Sequence, residues 1–278
     1  MNKVKELFGI HKGTNTDLEK ALKEQHCPYS HKKCYKTRKS DPQIAIGTCS
    51  VEYRHGLVII CPNRLLENNQ IFIDCLHLLT LHEPGNELYV LPEVSVLGGN
   101  VDFFLVSSKA GKVKDFLGIE LQAMDTTGTV WPERQRLLHE YGFAVNETDI
   151  RNERSFGMNW KMTAKTILVQ MHHKSEMFEK LNKHFVLVIQ EPFYEYIKQE
   201  FSFSHIQGVR IGYPIHIHSY SFKETDNSLR LSLDTRVSTD FIGISQCLGL
   251  RTQVNVKLEE IIARLQEKLN DEYRLVVG

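Results

Sequence analysis

Apolar and polar residues alternate with period two through the middle of this chain and shift to helical spacing further on. Between Glu87 and Gln122, Val101, Phe103 and Leu105 alternate around Asp102, and Leu117, Ile119 and Leu121 alternate around Glu120. Such alternation, rich in β-branched and aromatic residues, predicts strands. Their connector, SSKAGKVKD, is charged and turn-rich, so the two strands are expected to be antiparallel neighbours. From Thr163 onward, Ile167, Leu168, Met171, Phe178 and Leu181 follow helical spacing and predict a helix of about twenty residues. FVLVIQ, residues 185–190, reads as a short strand at the centre of a sheet. Residues 191–200 read as a helix, and YPIHIHSYSF and LRLSLDTRV as alternating strands. Leu258, Ile261, Ile262, Leu265 and Leu269 mark a closing helix.

The first third is less regular. Thr16 with Glu19 forms a capping box that predicts a short helix over 17–25. From Cys27 to Cys61 the pattern is loop-rich with short strands, IAIGTCSVEYR and GLVIIC. IFIDCLHLLTL fits a buried strand or a helix equally well. Residues 123–160 carry few periodic signals; AMDTTGTVWPERQR reads as a polar loop, and Trp131 and Trp160 as packing residues. No repeat, low-complexity tract or Pro/Gly linker interrupts the chain. The expected organisation is an N-terminal basic, cysteine-bearing region over 1–80, followed by a mixed α/β core over 81–278.

Composition changes the picture little. The 278 residues are 41% hydrophobic and 24% charged, an ordinary globular balance that excludes a disordered chain. No apolar run approaches a membrane span. The start, MNKVKELFGIHKG, lacks the apolar stretch of a signal peptide, so a cytoplasmic location is expected. Net charge is zero, but residues 1–40 carry ten Lys/Arg against four Asp/Glu. Lys33, Lys36, Arg38 and Lys39 are candidate phosphate contacts, with a solvated surface loop as the competing reading.

Three constellations carry chemistry. Antiparallel pairing would bring the Asp102 and Glu120 carboxylates together, and two carboxylates repel unless a hard cation such as Mg²⁺ lies between them. Asp102 followed by Glu120-Leu121-Gln122 matches the Asp…Glu-x-Lys signature of the restriction-nuclease fold, with glutamine where lysine is commoner. The cysteines Cys27, Cys34, Cys49 and Cys61 supply four sulfurs within thirty-five residues, a donor set that suits one Zn²⁺ or one iron. Their spacing is not that of paired zinc knuckles, and Cys49 and Cys61 also read as buried hydrophobes. Cys75 reads as core, and Cys247 stands apart. His216 and His218 share one face of a strand, which is ligand geometry; with no acidic or cysteine partner near in sequence, a solvent-facing or DNA-facing strand is expected. His172 and His173 fall on the long helix, one toward the core and one toward solvent, while Lys161 and Lys165 are further candidates for phosphate.

CPYSHKKCYKTRKSDPQIAIGTCSVEY…IICP, VDFFLV…GIELQAMDTTGT and NWKMTAKTILVQMHHKSEMFEKLNKHFVLVIQ together resemble the NotI-type restriction endonucleases, over roughly residues 25–195. The resemblance implies a PD-(D/E)XK nuclease core, a mixed sheet flanked by helices, beside a small N-terminal domain. There the four cysteines Cys27, Cys34, Cys49 and Cys61 would hold one iron. It places the catalytic residues on Asp102, Glu120 and Gln122, with a further acid upstream, Glu93 in LPEVSV or its rival Glu87. The expected activity is type II cleavage of double-stranded DNA with Mg²⁺ at a palindromic, GC-rich site, leaving 5′-phosphate ends, by a homodimer. Two other classes compete: a non-catalytic DNA-binding protein with a structural metal site, and a nicking or repair nuclease on the same core.

Overall fold

The computed structural model describes residues 2–13, 17–54, 56–96, 99–152, 156–203, 205–225, 228–250 and 262. The chain opens with β1 (Val4–Leu7), β2 (Ile10–His11) and α1 (Leu18–Glu24). The hairpin β3 (Thr37–Arg38) and β4 (Asp41–Ala45) follows, then β5 (Thr48–Tyr53) and β6 (Gly56–Ile59). Strands β2, β1, β5 and β6 form a small antiparallel sheet in that order. Helix α1 lies where the sequence places it, but its cap is Asp17, whose side chain accepts the Lys20 N–H at 3.0 Å. Thr16 lies outside the described residues.

Pro62–Asn69 continues as 3₁₀ turns kinked at Glu67 and Asn68, followed by α2 (Gln70–Ile73) and a 3₁₀ turn over Leu76–Leu78. IFIDCLHLLTL is therefore made of helical turns. Arg64 ties this segment down: fully buried, it donates to Glu6 of β1 at 2.9 Å and to the Leu229 carbonyl at 2.7 Å.

The central sheet comprises β7 (Glu87–Val96), β8 (Gly99–Lys109), β9 (Lys112–Gln122), β12 (Phe185–Gln190), β13 (Gln207–Gly208), β14 (Ile215–Thr225) and β15 (Ser228–Thr239). The short strands β10 (Thr126–Thr127) and β11 (Gly157–Met158) pair with each other. Sheet order is β13-β15-β14-β12-β9-β8-β7; β12 runs parallel to β9 and β14, and every other pair is antiparallel. The parallel crossovers use α5 (Trp160–Lys180) between β9 and β12, and α6 (Glu191–Glu200) between β12 and β14. Helix α7 (Phe241–Cys247) completes the described chain apart from Ile262. The result is a mixed α/β architecture. Among the described residues no helix is long and apolar enough to cross a membrane.

Side-chain alternation divides the sheet into two cores. Phe185, Leu187 and Ile189 face α5 and α6, whose Ile167, Phe178, Phe193 and Ile197 they meet. Val186 and Val188 face the opposite way and pack with Leu65, Ile71 and Leu78 of the 62–79 segment. Every residue of β12 is buried, as its unbroken apolar run requires; each such side chain removed from water contributes roughly 1.5–3 kcal/mol.

The expected loop over 123–160 contains α3 (Trp131–Glu140) and the short α4 (Glu147–Ile150). Pro132 opens α3 where a missing N–H costs nothing. Its buried face includes Glu133, Arg134 and Gln135, so no apolar stripe betrays it. Those groups are paired: Arg134 donates to the Ile46 carbonyl at 2.8 Å, and Glu133 accepts the Lys3 N–H at 3.1 Å. Of the closing helix only Ile262 is described, and it is helical; Leu258, Ile261, Leu265 and Leu269 lie outside the described residues.

Candidate active site

Strands β8 and β9 are antiparallel neighbours, and their register pairs Phe103 with Ile119, so Asp102 stands opposite Glu120. One hydrogen bond ties the pair together: the Leu121 N–H, next to Glu120, donates to Asp102 Oδ2 at 2.8 Å. Glu93 comes from the other neighbour, β7, whose pairing with β8 runs through Pro92–Phe103 and Val94–Val101 but skips the Glu93 position. Glu93 sits at φ +53°, a left-handed conformation that breaks the ladder opposite Asp102. Strained non-glycine backbone of this kind recurs at functional sites. Glu87, the rival acid, lies at the far end of β7, paired with Ser108.

Burial pushes the Asp102 and Glu120 carboxyls above their ordinary range, and for Glu120 the charge of Asp102 adds to the effect. A partner the sequence reading missed offsets this in part. Lys174, on α5, donates to Glu120 Oε2 at 2.7 Å, and the two side chains are 4% and 8% exposed. Nothing in sequence spacing joins residues 54 positions apart on a helix and a strand; a lysine on the buried stripe of an amphipathic helix was the available signal. Gln122 is half-buried and donates its amide to the Ala123 carbonyl at 2.6 Å.

Glu93, Asp102 and Leu121 line a cleft of about 630 Å³ whose opposite wall includes Tyr29, Lys32 and Lys33 of the Cys27–Cys34 turn. A larger groove of about 1040 Å³ runs between the β3–β4 hairpin and the 125–132 loop; it carries Lys36, Arg38 and Lys39 and neither carboxylate.

The four cysteines face one small cavity. Cys27 and Cys34 bracket a turn closed by Cys27 N–H to Lys32 O and Cys34 N–H to Gln25 O, both 2.8 Å. Cys49 on β5 sits beside the Ile60–Cys61 end of β6 through an Ile60 N–H to Cys49 O bond of 3.1 Å. All four line one small cavity of about 10 Å³, and all are free thiols. Burial raises the Cys49 and Cys61 thiols; Cys61 itself raises Cys49 further, while Lys36 opposes the rise at Cys61. Among the described residues no group of three or more His, Cys, Asp or Glu side chains stands in the arrangement of a metal site. Cys75 is fully buried core, as expected.

The basic run divides. Lys36 Nζ donates to the Ile60 carbonyl, and Arg38 pairs with Asp149 at 3.3 Å while its guanidinium lies 4.4 Å from the Trp131 ring. Lys33 and Lys39 are exposed, as are Lys161 and Lys165. Trp131 and Trp160 pack as expected, and His172 is half-buried while His173 is exposed. His216 and His218 correct the expectation of a solvent- or DNA-facing strand: both are fully buried, because β14 lies inside the sheet. Their partners come from afar, His184 Nδ1 at 3.0 Å from His216 Nε2 and Cys75 Sγ at 3.7 Å from His218 Nδ1.

A protein-family model described as Restriction endonuclease NotI matches residues 18–228. No curated protein matches the chain.

Proposed function

The chain belongs to the NotI restriction endonuclease family, and from that premise we propose a Mg²⁺-dependent type II enzyme that cuts both strands of a palindromic, GC-rich DNA site and leaves 5′-phosphate ends. The observation that carries the reading is the juxtaposition of Asp102 and Glu120 across β8 and β9, with Glu93 opposite Asp102. On this reading β7, β8, β9 and the crossover helix α5 form the centre of a PD-(D/E)XK core.

Asp102 and Glu120, with the Leu121 carbonyl, would hold Mg²⁺; carboxyls raised by burial and by neighbouring negative charge, Glu93 at Asp102 and Asp102 at Glu120, suit a hard divalent cation. When bound, the ion polarises a phosphoryl oxygen and lowers the pKa of a coordinated water. Glu93 stands where a further carboxylate would orient that water, and Gln122 keeps its amide oxygen and second N–H for the same task while it donates to the Ala123 carbonyl. In the balanced reaction a water oxygen bonds to phosphorus, the bond to the 3′-oxygen breaks, and that oxygen leaves as a 3′-hydroxyl.

Cys27, Cys34, Cys49 and Cys61 would hold one iron or zinc ion in a structural role, within an N-terminal unit ending near residue 80. What supports this is that all four line one small cavity. Cutting a palindrome on both strands needs two sites related by a two-fold axis, hence a homodimer. Plasmid digestion with Mg²⁺, followed by sequencing of the ends, tests the reading. Discrete fragments with one repeated end sequence are expected; random nicks or intact plasmid would overturn it.

A further inference from the structure

The hydrolytic centre lacks a cation at its motif, since residue 122 is glutamine and its amide is engaged by Ala123. Two carboxylates and a phosphodiester carry three negative charges, one more than a single Mg²⁺ offsets. Lys174 lies against that site. Its ammonium is 2.7 Å from Glu120 Oε2 and 5.9 Å from the centre of the Phe185 ring, and its Cε is 4.0 Å from where a Cβ on Gly99 would stand. The bond to Glu120 and the burial of the side chain hold the charge in place. An ammonium has three N–H donors. Among the described residues the Lys174 ammonium bonds Glu120 alone, which leaves two donors for an acceptor that a ligand would bring. Idle donors on a buried charge are costly.

We propose that Lys174 is a catalytic residue of this site, supplying from α5 the positive charge that the Glu-x-Gln motif lacks and donating to a non-bridging oxygen of the scissile phosphate. This rests on the assignment of Asp102 and Glu120 as the hydrolytic carboxylates. Bonded to the carboxylate that would hold the ion, Lys174 stands beside the oxygens on which charge grows as water attacks phosphorus and the bond to the 3′-oxygen breaks. Lys174 gives up no proton in this step; the proton of the attacking water passes to solvent, and the departing oxygen is protonated from solvent. An interaction that strengthens in the transition state lowers the barrier.

Lys174→Met keeps the length and apolar stem of the side chain and removes its charge; Lys174→Arg keeps the charge. The methionine variant should cut about 10²–10³-fold more slowly in kcat with KM little changed. Calorimetric titration with Mg²⁺ in the absence of DNA should show it binding the ion about severalfold more tightly, since no ammonium then competes for Glu120. The arginine variant should recover part of the rate. Thermal melts establish folding, and Lys174→Gln replaces the methionine variant should that one not fold. Cutting at the wild-type rate overturns the inference. So does slow cutting with Mg²⁺ binding unchanged or weakened, which makes Lys174 a prop for Glu120. Undiminished cutting by Glu120→Ala would instead locate the failure in the carboxylate assignment.

Discussion

The central sheet holds two ionisable clusters, one opening on a cleft through half-buried Asp102 and one fully buried, on opposite electrostatic terms. At β8, β9 and α5, Asp102, Glu120 and Lys174 keep opposite charges in close contact, and the carboxyls are still driven upward by burial. At β14, His216 and His218 are fully buried, and burial lowers each to about 3. The neighbouring His184, His77 and Arg236 push the same way. His77 stacks on His218 with ring centres 6.4 Å apart. The histidine cluster has escaped the cost of buried charge by staying neutral, although His216 Nδ1 and His218 Nε2 are left without partners among the described residues. The carboxyls instead lie beside a buried ammonium, Lys174, which favours their charged form against burial. A buried imidazole is tolerable as neutral core, whereas the half-buried Asp102 and buried Glu120 draw a cationic partner.

Activity should break the two clusters apart most sharply. Asp102→Ala and Glu120→Ala should each lower cleavage by at least ~10³-fold while specific DNA binding remains measurable, because they remove metal ligands rather than phosphate contacts. His216→Leu and His218→Leu, once folded, should cut within about severalfold of wild type, as core substitutions distant from a site usually do. Near-normal cutting by either carboxylate variant, or abolished cutting by both folded histidine variants, would reverse the assignment of which cluster works. Gln122→Lys adds a second cation beside Lys174 and should reduce the rate; an unaffected rate would mean that Gln122 does not touch the attacking water.

The cysteine cavity asks which of the two terms a third cluster follows. With a cation bound it resembles the carboxylates, and elemental analysis should find about one iron or zinc per chain. Cys34→Ser and Cys49→Ser should then cost several kcal/mol of stability, on the order of a lost structural ligand, and more than Cys75→Ser does. Equal behaviour of the three variants with no bound metal would place the thiols with the histidines as neutral core.

How far these clusters could be read from the sequence follows from the range of the forces that build them. Strands β7, β8 and β9, the central β12 and the long helix α5 were legible, since burial on one or both faces writes its period directly into neighbouring residues. Asp102 opposite Glu120 followed from strand alternation and a turn-rich connector. Helix α3 was not legible, because Glu133, Arg134 and Gln135 are buried against polar partners such as Ile46 O and Lys3 N, and the apolar stripe is interrupted. Lys174 was missed, and His216 and His218 misjudged as exposed, for one reason: their partners arrive through tertiary register, which no local spacing records.

A pH series sharpens the histidine side. Unfolded histidine titrates near 6.5, whereas His216 and His218 in the folded protein are lowered to about 3. Between those values the unfolded chain binds more protons, so stability should fall as pH drops from about 6.5 toward about 3. The loss should reach the order of a few kcal/mol, and urea melts of His218→Leu should show a shallower decline across that window than wild type. An identical slope would mean that His218 is protonated in the fold.

The same distinction between charges already satisfied and charges awaiting a partner reaches the surface and gives the smallest expected effect. Lys36 and Arg38 are spent on the Ile60 carbonyl and Asp149, whereas Lys33 and Lys39 are exposed, and Lys33 lies on the wall of the cleft that holds Asp102. Phosphate contacts made by the run should therefore come from Lys33 and Lys39. Replacing these two by alanine should flatten the dependence of log affinity on log salt by about two units, near one for each lost contact. The change should be equal on cognate and non-cognate DNA, since phosphates carry no sequence information. Lys36→Ala should leave that slope unchanged and instead loosen the β3–β4 hairpin against the end of β6. A slope altered by Lys36→Ala and not by the exposed pair would mean that DNA draws Lys36 off its carbonyl, so that the charges satisfied in the free protein are the ones binding uses.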